Sequence, residues 1–228
     1  MRHLKSTLAT LAGCFLSLLG SGCGLTDAPA AAATDSTDPA PWTASRAATI
    51  PNLSSLRELP FDGVANARFS PTTAGPLMSR PYKYKVPSRY DATKATPLVV
   101  MLHGLSASGE LNELILHLAP LAESRTFLYA FPDGTQNPLG IRFWNATDFC
   151  CNFFGSTVDD VAYLTAVIDD MAARYNVDKK RIFLVGHSNG GYMSHRMACD
   201  RADKLAGIVS LAGAQWTDAT RCKPTDKE

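Results

Sequence analysis

The chain has almost no surplus of charge. Its 22 Lys and Arg against 21 Asp and Glu leave a formal net charge of +1. It therefore lacks the basic face that neutralising a run of phosphates requires, and a nucleic-acid partner is set aside. It has no internal repeat. It also has no C-x-x-C and no histidine beside a cysteine pair, so no metal is expected. The apolar run Leu8 to Leu19 is too short to span a bilayer. Histidine is scarce after position 188, where His195 alone remains, and this scarcity governs the functional reading below.

What is present starts with an export signature. Arg2, His3 and Lys5 precede the Leu8–Leu19 run, and residues 1–23 read as a signal peptide of lipoprotein type. Leu11-Ala-Gly-Cys14 matches the lipobox better but leaves a very short apolar run in front of it. Gly20-Ser-Gly-Cys23 has the better-sized run and a poorer box. Cys23 is the favoured lipid attachment and Cys14 the alternative, with a plain secretory signal as the third reading. Residues 24–76 are rich in Ala, Thr, Pro and Asp and cannot build a core, so they read as a disordered tether, although Leu53, Leu56 and Phe61 could pack on the domain. Residues 77–228 read as the folded domain, and a chain of 228 residues has room for one α/β domain of about 200–250.

Within that domain strands and helices alternate. Pro81 to Val86 alternates with Tyr82, Tyr84 and Val86 on one face. Leu98 to Leu102, Phe127 to Phe131 and Leu205 to Leu211 are continuous apolar runs expected of buried strands. Gly109 to Leu118 has helical spacing, with Leu111, Leu114, Ile115 and Leu118 on one stripe. Val158 to Tyr175 has it through Val161, Leu164, Ile168 and Met171, with Thr157 and Asp160 as a capping box. The expected fold class is α/β, a doubly wound and mainly parallel sheet.

The stretch Arg181 to Gly191 carries the chemistry. A strand, Ile182 to Val185, runs into Gly186-His187-Ser188-Asn189-Gly190, and Tyr192 to Cys199 follows with Met193 and Met197 on one helical face. A G-x-S-x-G between strand and helix predicts a sharp turn that presents the serine hydroxyl, with glycines where a Cβ would collide with neighbouring backbone. The competing reading is an ordinary Gly-rich turn.

Four pieces in this order point to a family: Leu102-His103-Gly104, Pro132-Asp133-Gly134, Trp144-Asn145-Ala146 before Cys150-Cys151, and Val158 to Leu164 leading to Gly186 through Met193. Over residues 80–215 the chain resembles polyhydroxybutyrate-depolymerase-like α/β-hydrolases, close to feruloyl and acetyl-xylan esterases. The resemblance implies hydrolysis of a carboxylic ester without a cofactor, with Ser188 as nucleophile and the backbone N–H groups of Asn189 and Leu105 as oxyanion hole. The substrate would be an ester, polymeric in some readings, with any membrane contact made only through the lipid anchor. His103 and Gly104 would shape the substrate side of that loop, His103 bracing it by hydrogen bonds. Trp144 would line the acyl pocket or sit in the core, two readings of equal weight. His187 and His117 read as packing and boundary residues, and Gln136 and Asn137 as loop residues without a role.

A serine nucleophile needs a base, and only 228 − 188 = 40 residues follow Ser188. The one histidine among them, His195, lies two helical turns on, about 10 Å by rise alone, whereas a base must sit within about 3 Å. Asp200, Asp203, Asp218 and Asp226 fall at a helix end or in a polar tail. The family's acid and histidine arrive after two further strands, so the expectation is a truncated chain, inactive alone, whose last strand is an exposed apolar edge that promotes association. Apart from Cys14 and Cys23, the cysteines are Cys150, Cys151, Cys199 and Cys222; three pairings are open, with a Cys150–Cys151 bridge the least expected. A non-catalytic hydrolase-fold binding protein and a serine peptidase are the competing functions.

Overall fold

The computed structural model describes residues 67–70 and 75–224. The expected signal segment with Cys14 and Cys23, the expected tether as far as residue 66 with Leu53, Leu56 and Phe61, and Asp226 lie outside the described residues. In chain order the elements are β1 (Arg68–Phe69), α1 (Pro76–Ser79), β2 (Lys83–Lys85), β3 (Thr96–Leu102), α2 (Gly109–Leu116), α3 (Leu118–Arg125), β4 (Leu128–Phe131), β5 (Thr135–Gln136), β6 (Arg142–Phe143), α4 (Asp160–Arg174), β7 (Val177–His187), α5 (Asn189–Asp200) and β8 (Gly207–Leu211), with short 3-10 turns after α5 and β8. Six strands form one sheet in the order β1-β2-β4-β3-β7-β8, and β5 pairs with β6 separately. The pairs β4/β3, β3/β7 and β7/β8 are parallel, while β1/β2 and β2/β4 are antiparallel.

Both faces of the central strands are buried, which is why these strands read as unbroken apolar runs. Leu98, Val100 and Leu102 of β3 and Leu128 and Ala130 of β4 face a core completed by Tyr163, Leu164 and Ile168 of α4 and Met193 and Met197 of α5. Val99, Met101, Tyr129 and Phe131 point the other way, toward Ala119 and Ala122 of α3. Tyr82 and Tyr84 are buried as their alternation requires, at 0% and 4% exposure. Arg68 and Phe69 pair with Tyr84 and Lys83, so within the 24–76 stretch expected to be a tether these two residues form a strand of the sheet.

Two local expectations need correction. The helix at Val158 is capped by Asp159, whose carboxylate accepts from the Ala162 N–H at 2.9 Å, rather than by Thr157. Asp160 is drawn instead into the core. The helix beginning at Gly109 stops at Leu116, because His117 takes a left-handed conformation (φ 50) and opens a second helix. Its apolar stripe also faces outward: Leu111, Leu114 and Ile115 are exposed, and Gly109, Asn112 and Glu113 are buried. Glu113 wins the inner face because its carboxylate accepts from Leu118 N, Ala119 N and the Tyr129 hydroxyl, satisfying the first turn of the next helix.

Candidate active site

Sheet order brings the two key segments together. β7 lies between β3 and β8, so the end of β3 at Leu102 pairs with Gly186 and the chain beyond it passes beside the elbow. Ser188 stands between β7 and α5 with φ 51 and ψ −118, a conformation that non-glycine residues avoid. The flanking glycines make this turn possible. A Cβ on Gly186 would lie 2.1 Å from the Gly190 carbonyl oxygen, and one on Gly190 2.1 Å from that of Leu102. Ser188 N–H donates to the Leu211 carbonyl at 2.7 Å, tying the elbow to β8.

The His103-Gly104 segment packs against the serine. A Cβ built on Gly104 would meet the Ser188 Cβ at 3.4 Å and the His187 ring at 3.1 Å. His103 is fully buried; its Nε2 accepts from Gly134 N–H at 2.8 Å, so Nδ1 carries the proton toward the Gly104 carbonyl at 2.7 Å. Burial holds its pKa below the ordinary histidine value, with the Gly104 carbonyl pulling the other way. It is a neutral brace that fixes the loop carrying Leu105. Beyond that residue Ser106 N–H donates to Arg142 and Ala107 N–H to Gly104. Among the described residues neither Leu105 N–H nor Asn189 N–H has an acceptor.

The side chain of Asn189 does structural work: Oδ1 accepts from Trp144 N at 2.6 Å and Nδ2 donates to Trp144 O at 3.1 Å. Trp144 is wholly buried, and its indole N–H donates to the His103 carbonyl at 3.0 Å. Of the two roles open to Trp144, the core one holds. Neither Trp144 nor His103 offers a surface to substrate, because their polar atoms are already committed to bracing the two backbone segments. At Gly104 a Cβ would lie 3.4 Å from the Ser188 Cβ, so this segment runs close beside the serine.

One important ion pair was not legible in advance. Arg80 Nη1 lies 2.7 Å from Asp160, whose side chain is fully buried and whose other oxygen accepts from Asn145 N at 2.7 Å. Burial raises the Asp160 pKa and Arg80 opposes the rise. The Arg80 guanidinium also lies 3.6 Å over the Tyr163 ring. Adjacent Asp159 and Asp160 after Val158 were the available signal, since a doubled acid at a helix start leaves one carboxylate beyond what the cap uses.

The cysteines pair as Cys150–Cys151 and Cys199–Cys222. The adjacent bridge was the least expected one. It forms in a turn where Cys151 has φ 82, so the chain leaves the extended conformation that holds neighbouring side chains apart. No side chain among the described residues hydrogen-bonds Ser188 Oγ. His195 faces partly out of α5, and Asp200, Asp203 and Asp218 are engaged with Arg196, Arg201 and Thr220. Gln136 lies in β5, and Asn137 Oδ1 accepts from Leu139 and Ile141.

Comparison with known proteins bears on the fold. Residues 152–228 match a family described as having the alpha/beta hydrolase fold. The chain is similar to feruloyl esterase B of Piromyces equi, 32% identical over 143 residues, covering 61% of this chain and 26% of that protein. It is similar also to poly(3-hydroxyalkanoate) depolymerase C of Paucimonas lemoignei, 29% identical over 140 residues, covering 59% of this chain and 31% of that one. Among solved structures, an acetyl xylan esterase from Aspergillus awamori superposes with a TM-score of 0.51 at 18% identity, over 62% of this chain and 50% of the other. The chain thus spans half or less of the length of each of these proteins. The fold is that of the α/β-hydrolases, and the resemblance to depolymerase-like and feruloyl-esterase-like proteins holds in relatives that are carboxylic ester hydrolases.

Proposed function

We propose that the protein is a carboxylic ester hydrolase acting through an acyl-enzyme on Ser188. The observation that carries this reading is the strained serine itself, at φ 51 between β7 and α5, with the Gly104 segment against its Cβ. Attack of Oγ on the ester carbonyl puts a full negative charge on the carbonyl oxygen. The N–H groups of Leu105 and Asn189, neither paired among the described residues, receive that charge; a donor in this role is worth about 2.7–4 kcal/mol. The bond to the alcohol oxygen breaks and the alcohol leaves with the proton that Ser188 gave up. Water then adds to the acyl carbonyl, the bond to Oγ breaks, and the acid departs as Ser188 regains a proton. The substrates are esters of polyhydroxyalkanoate oligomers, or feruloyl or acetyl esters of plant polysaccharide. The protein is exported, either anchored through a lipid on Cys23 or Cys14 or released in soluble form after a plain secretory signal.

Labelling of the full-length protein with a fluorophosphonate probe tests the nucleophile: adduct on Ser188, abolished in Ser188→Ala, supports it, and a folded full-length protein that takes no label ends it. The lack of any described hydrogen bond to Ser188 Oγ favours a second reading, a hydrolase-fold binding protein with an idle serine. Hydrolysis of p-nitrophenyl butyrate above the Ser188→Ala background separates the two, and a preference for peptide anilides would point to a peptidase.

A further inference from the structure

The two disulfides differ in what they can do for the fold. A bridge stabilises chiefly by restricting the unfolded chain, and the effect grows with the loop it closes. Cys199–Cys222 spans a sequence separation of 23 and ties α5 to the segment after β8. Cys150–Cys151 joins neighbours, so opening it releases almost nothing in the unfolded chain. Its effect is on local conformation, because it accompanies φ 82 at Cys151, a value that residues with a side chain rarely adopt.

That turn lies against the elbow. Asn189 Nδ2 donates toward Cys150 Sγ at 3.9 Å, and the adjoining Phe149 ring stacks on Tyr192 of the same helix with centroids 5.8 Å apart. On either side the chain is held independently of the bridge. Trp144 is bonded to the Asn189 side chain, Asn145 Nδ2 donates to the Val158 carbonyl at 2.8 Å, and Asn152 Nδ2 donates to the Ser156 carbonyl at 2.7 Å. The freedom gained when the bridge opens is therefore confined to the few residues between these anchors. A cavity of about 470 Å³ is lined by both cysteines. Cys150 is half-buried whereas Cys151 is only 7% exposed, so a small thiol meets Cys150 first.

We propose that Cys150–Cys151 is a redox-active site, opened by a small dithiol, that sets the conformation of the chain lying against Asn189. A thiolate of the dithiol attacks Cys150 Sγ and forms a mixed disulfide. The Cys150–Cys151 bond breaks, and Cys151 leaves as a thiolate that takes up a proton. The second thiol of the reductant then displaces Cys150 Sγ and closes a disulfide within the reductant. The protein gains two electrons and two protons, and the dithiol loses the same. Once the bridge is open, residue 151 is free to leave its positive φ, and Cys150 and Phe149 turn away from Asn189 and Tyr192. The consequence for the oxyanion hole rests on the ester-hydrolase reading, in which Asn189 supplies one N–H; the opening itself does not.

The test is a graded dithiothreitol series on the full chain under native conditions, with alkylation by iodoacetamide read by peptide mass spectrometry. Cys150 and Cys151 should become alkylated at a dithiothreitol concentration about tenfold or more below that needed for Cys199 and Cys222. Within that window the NMR signals of the Asn189 side-chain amide and the Tyr192 ring should shift, while the melting temperature stays within about 2 °C of the parent. Cys150→Ser/Cys151→Ser should reproduce the shifts without reductant. Cys199→Ser/Cys222→Ser should instead lower the melting temperature by about 6–12 °C. Alkylation of Cys150 and Cys151 before any reductant is added, opening of both bridges together, or opening with unmoved Asn189 and Tyr192 signals would overturn the proposal. Fluorophosphonate labelling of the full-length protein in both redox forms separates the failures. Shifted signals with no label in either form keep the redox site and remove the esterase. Label with unmoved signals keeps the esterase and removes the redox site.

Discussion

β7 and β8 are parallel neighbours with the same apolar vocabulary, yet they end in different surroundings. Ile182 and Leu184 of β7 are 3% and 0% exposed, whereas Val209 and Leu211 of β8 are 50% and 41% exposed. The register explains the contrast. Phe183, Val185 and His187 lie beside Gly207, Val209 and Leu211, on the sheet face that also carries Val99 and Met101. Over β3 and β4 that face is packed with Ala119, Ala122 and their neighbours. Over β7 and β8 it is open among the described residues, and Phe183 is 37% exposed. An apolar run therefore specifies a strand; what covers the strand depends on elements elsewhere in the chain.

The sharpest way to break the comparison is to add one methyl group at each strand. Gly190, at the head of the elbow helix beyond β7, would put its Cβ 2.1 Å from the Leu102 carbonyl oxygen, a backbone atom that cannot turn aside. Gly190→Ala should cost about 3 kcal/mol or more, or prevent folding. On β8, Gly207 finds only the Phe183 ring, at 3.7 Å, and Gly207→Ala should stay within about 0.5 kcal/mol of the parent. Urea midpoints for the pair check this; equal losses would mean the two strands are equally enclosed.

The buried side carries a second, pH-dependent cost. His103→Ala leaves the Gly134 N–H without its acceptor and opens a void, at about 2–4 kcal/mol by urea denaturation. In the parent, the folded ring titrates below its ordinary value because of burial, so as pH falls the unfolded chain takes up the proton first. Stability should be full above about pH 6.5 and decline as pH drops through that value. His195 adds in the same direction, also through burial. A His103→Gln variant, which has an acceptor but no titration, should show a shallower decline; an unchanged slope would mean His103 is not the group responsible.

How much of this was legible in sequence follows the same division. The elbow, its glycines and the buried faces of α4 and α5 were readable because each is a local constraint: a Cβ that cannot fit, or a stripe at 3.6-residue spacing. The stripe of α2 misled because Glu113 has three buried donors supplied by residues that follow it, an attraction that periodicity cannot register. The Arg80–Asp160 pair and the two hydrogen bonds between Asn189 and the Trp144 backbone join positions far apart in sequence; the doubled acid after Val158 marks a spare carboxylate, but no local pattern names its partner. The Cys150–Cys151 bridge depends on one positive φ at Cys151, invisible in residue types alone. The base for Ser188 was not identified from sequence, and the described residues add no partner.

The elbow also stores strain. At φ 51 and ψ −118, Ser188 sits where only glycine is comfortable. Ser188→Ala keeps the Cβ and should leave stability near the parent. Ser188→Gly should be about 1 kcal/mol more stable than Ser188→Ala, the relief of strain exceeding the extra freedom gained by the unfolded chain. Thermal denaturation of the two variants checks it, and equal melting temperatures would remove strain from the description of the site.

The smallest expected effect on stability belongs to Val209→Lys, and it isolates the open face. With Val209 half exposed, the substitution should change the urea midpoint by less than about 0.5 kcal/mol. Its influence should appear in association instead. A lysine on an apolar edge strand makes pairing with a second copy costly, because the ammonium must lose water against hydrocarbon. Light scattering at rising protein concentration should show large particles in the parent and fewer in the variant at equal folded fraction. Scattering that is unchanged would place the sticky surface elsewhere, with the exposed Leu111, Leu114 and Ile115 stripe of α2 the next to be altered.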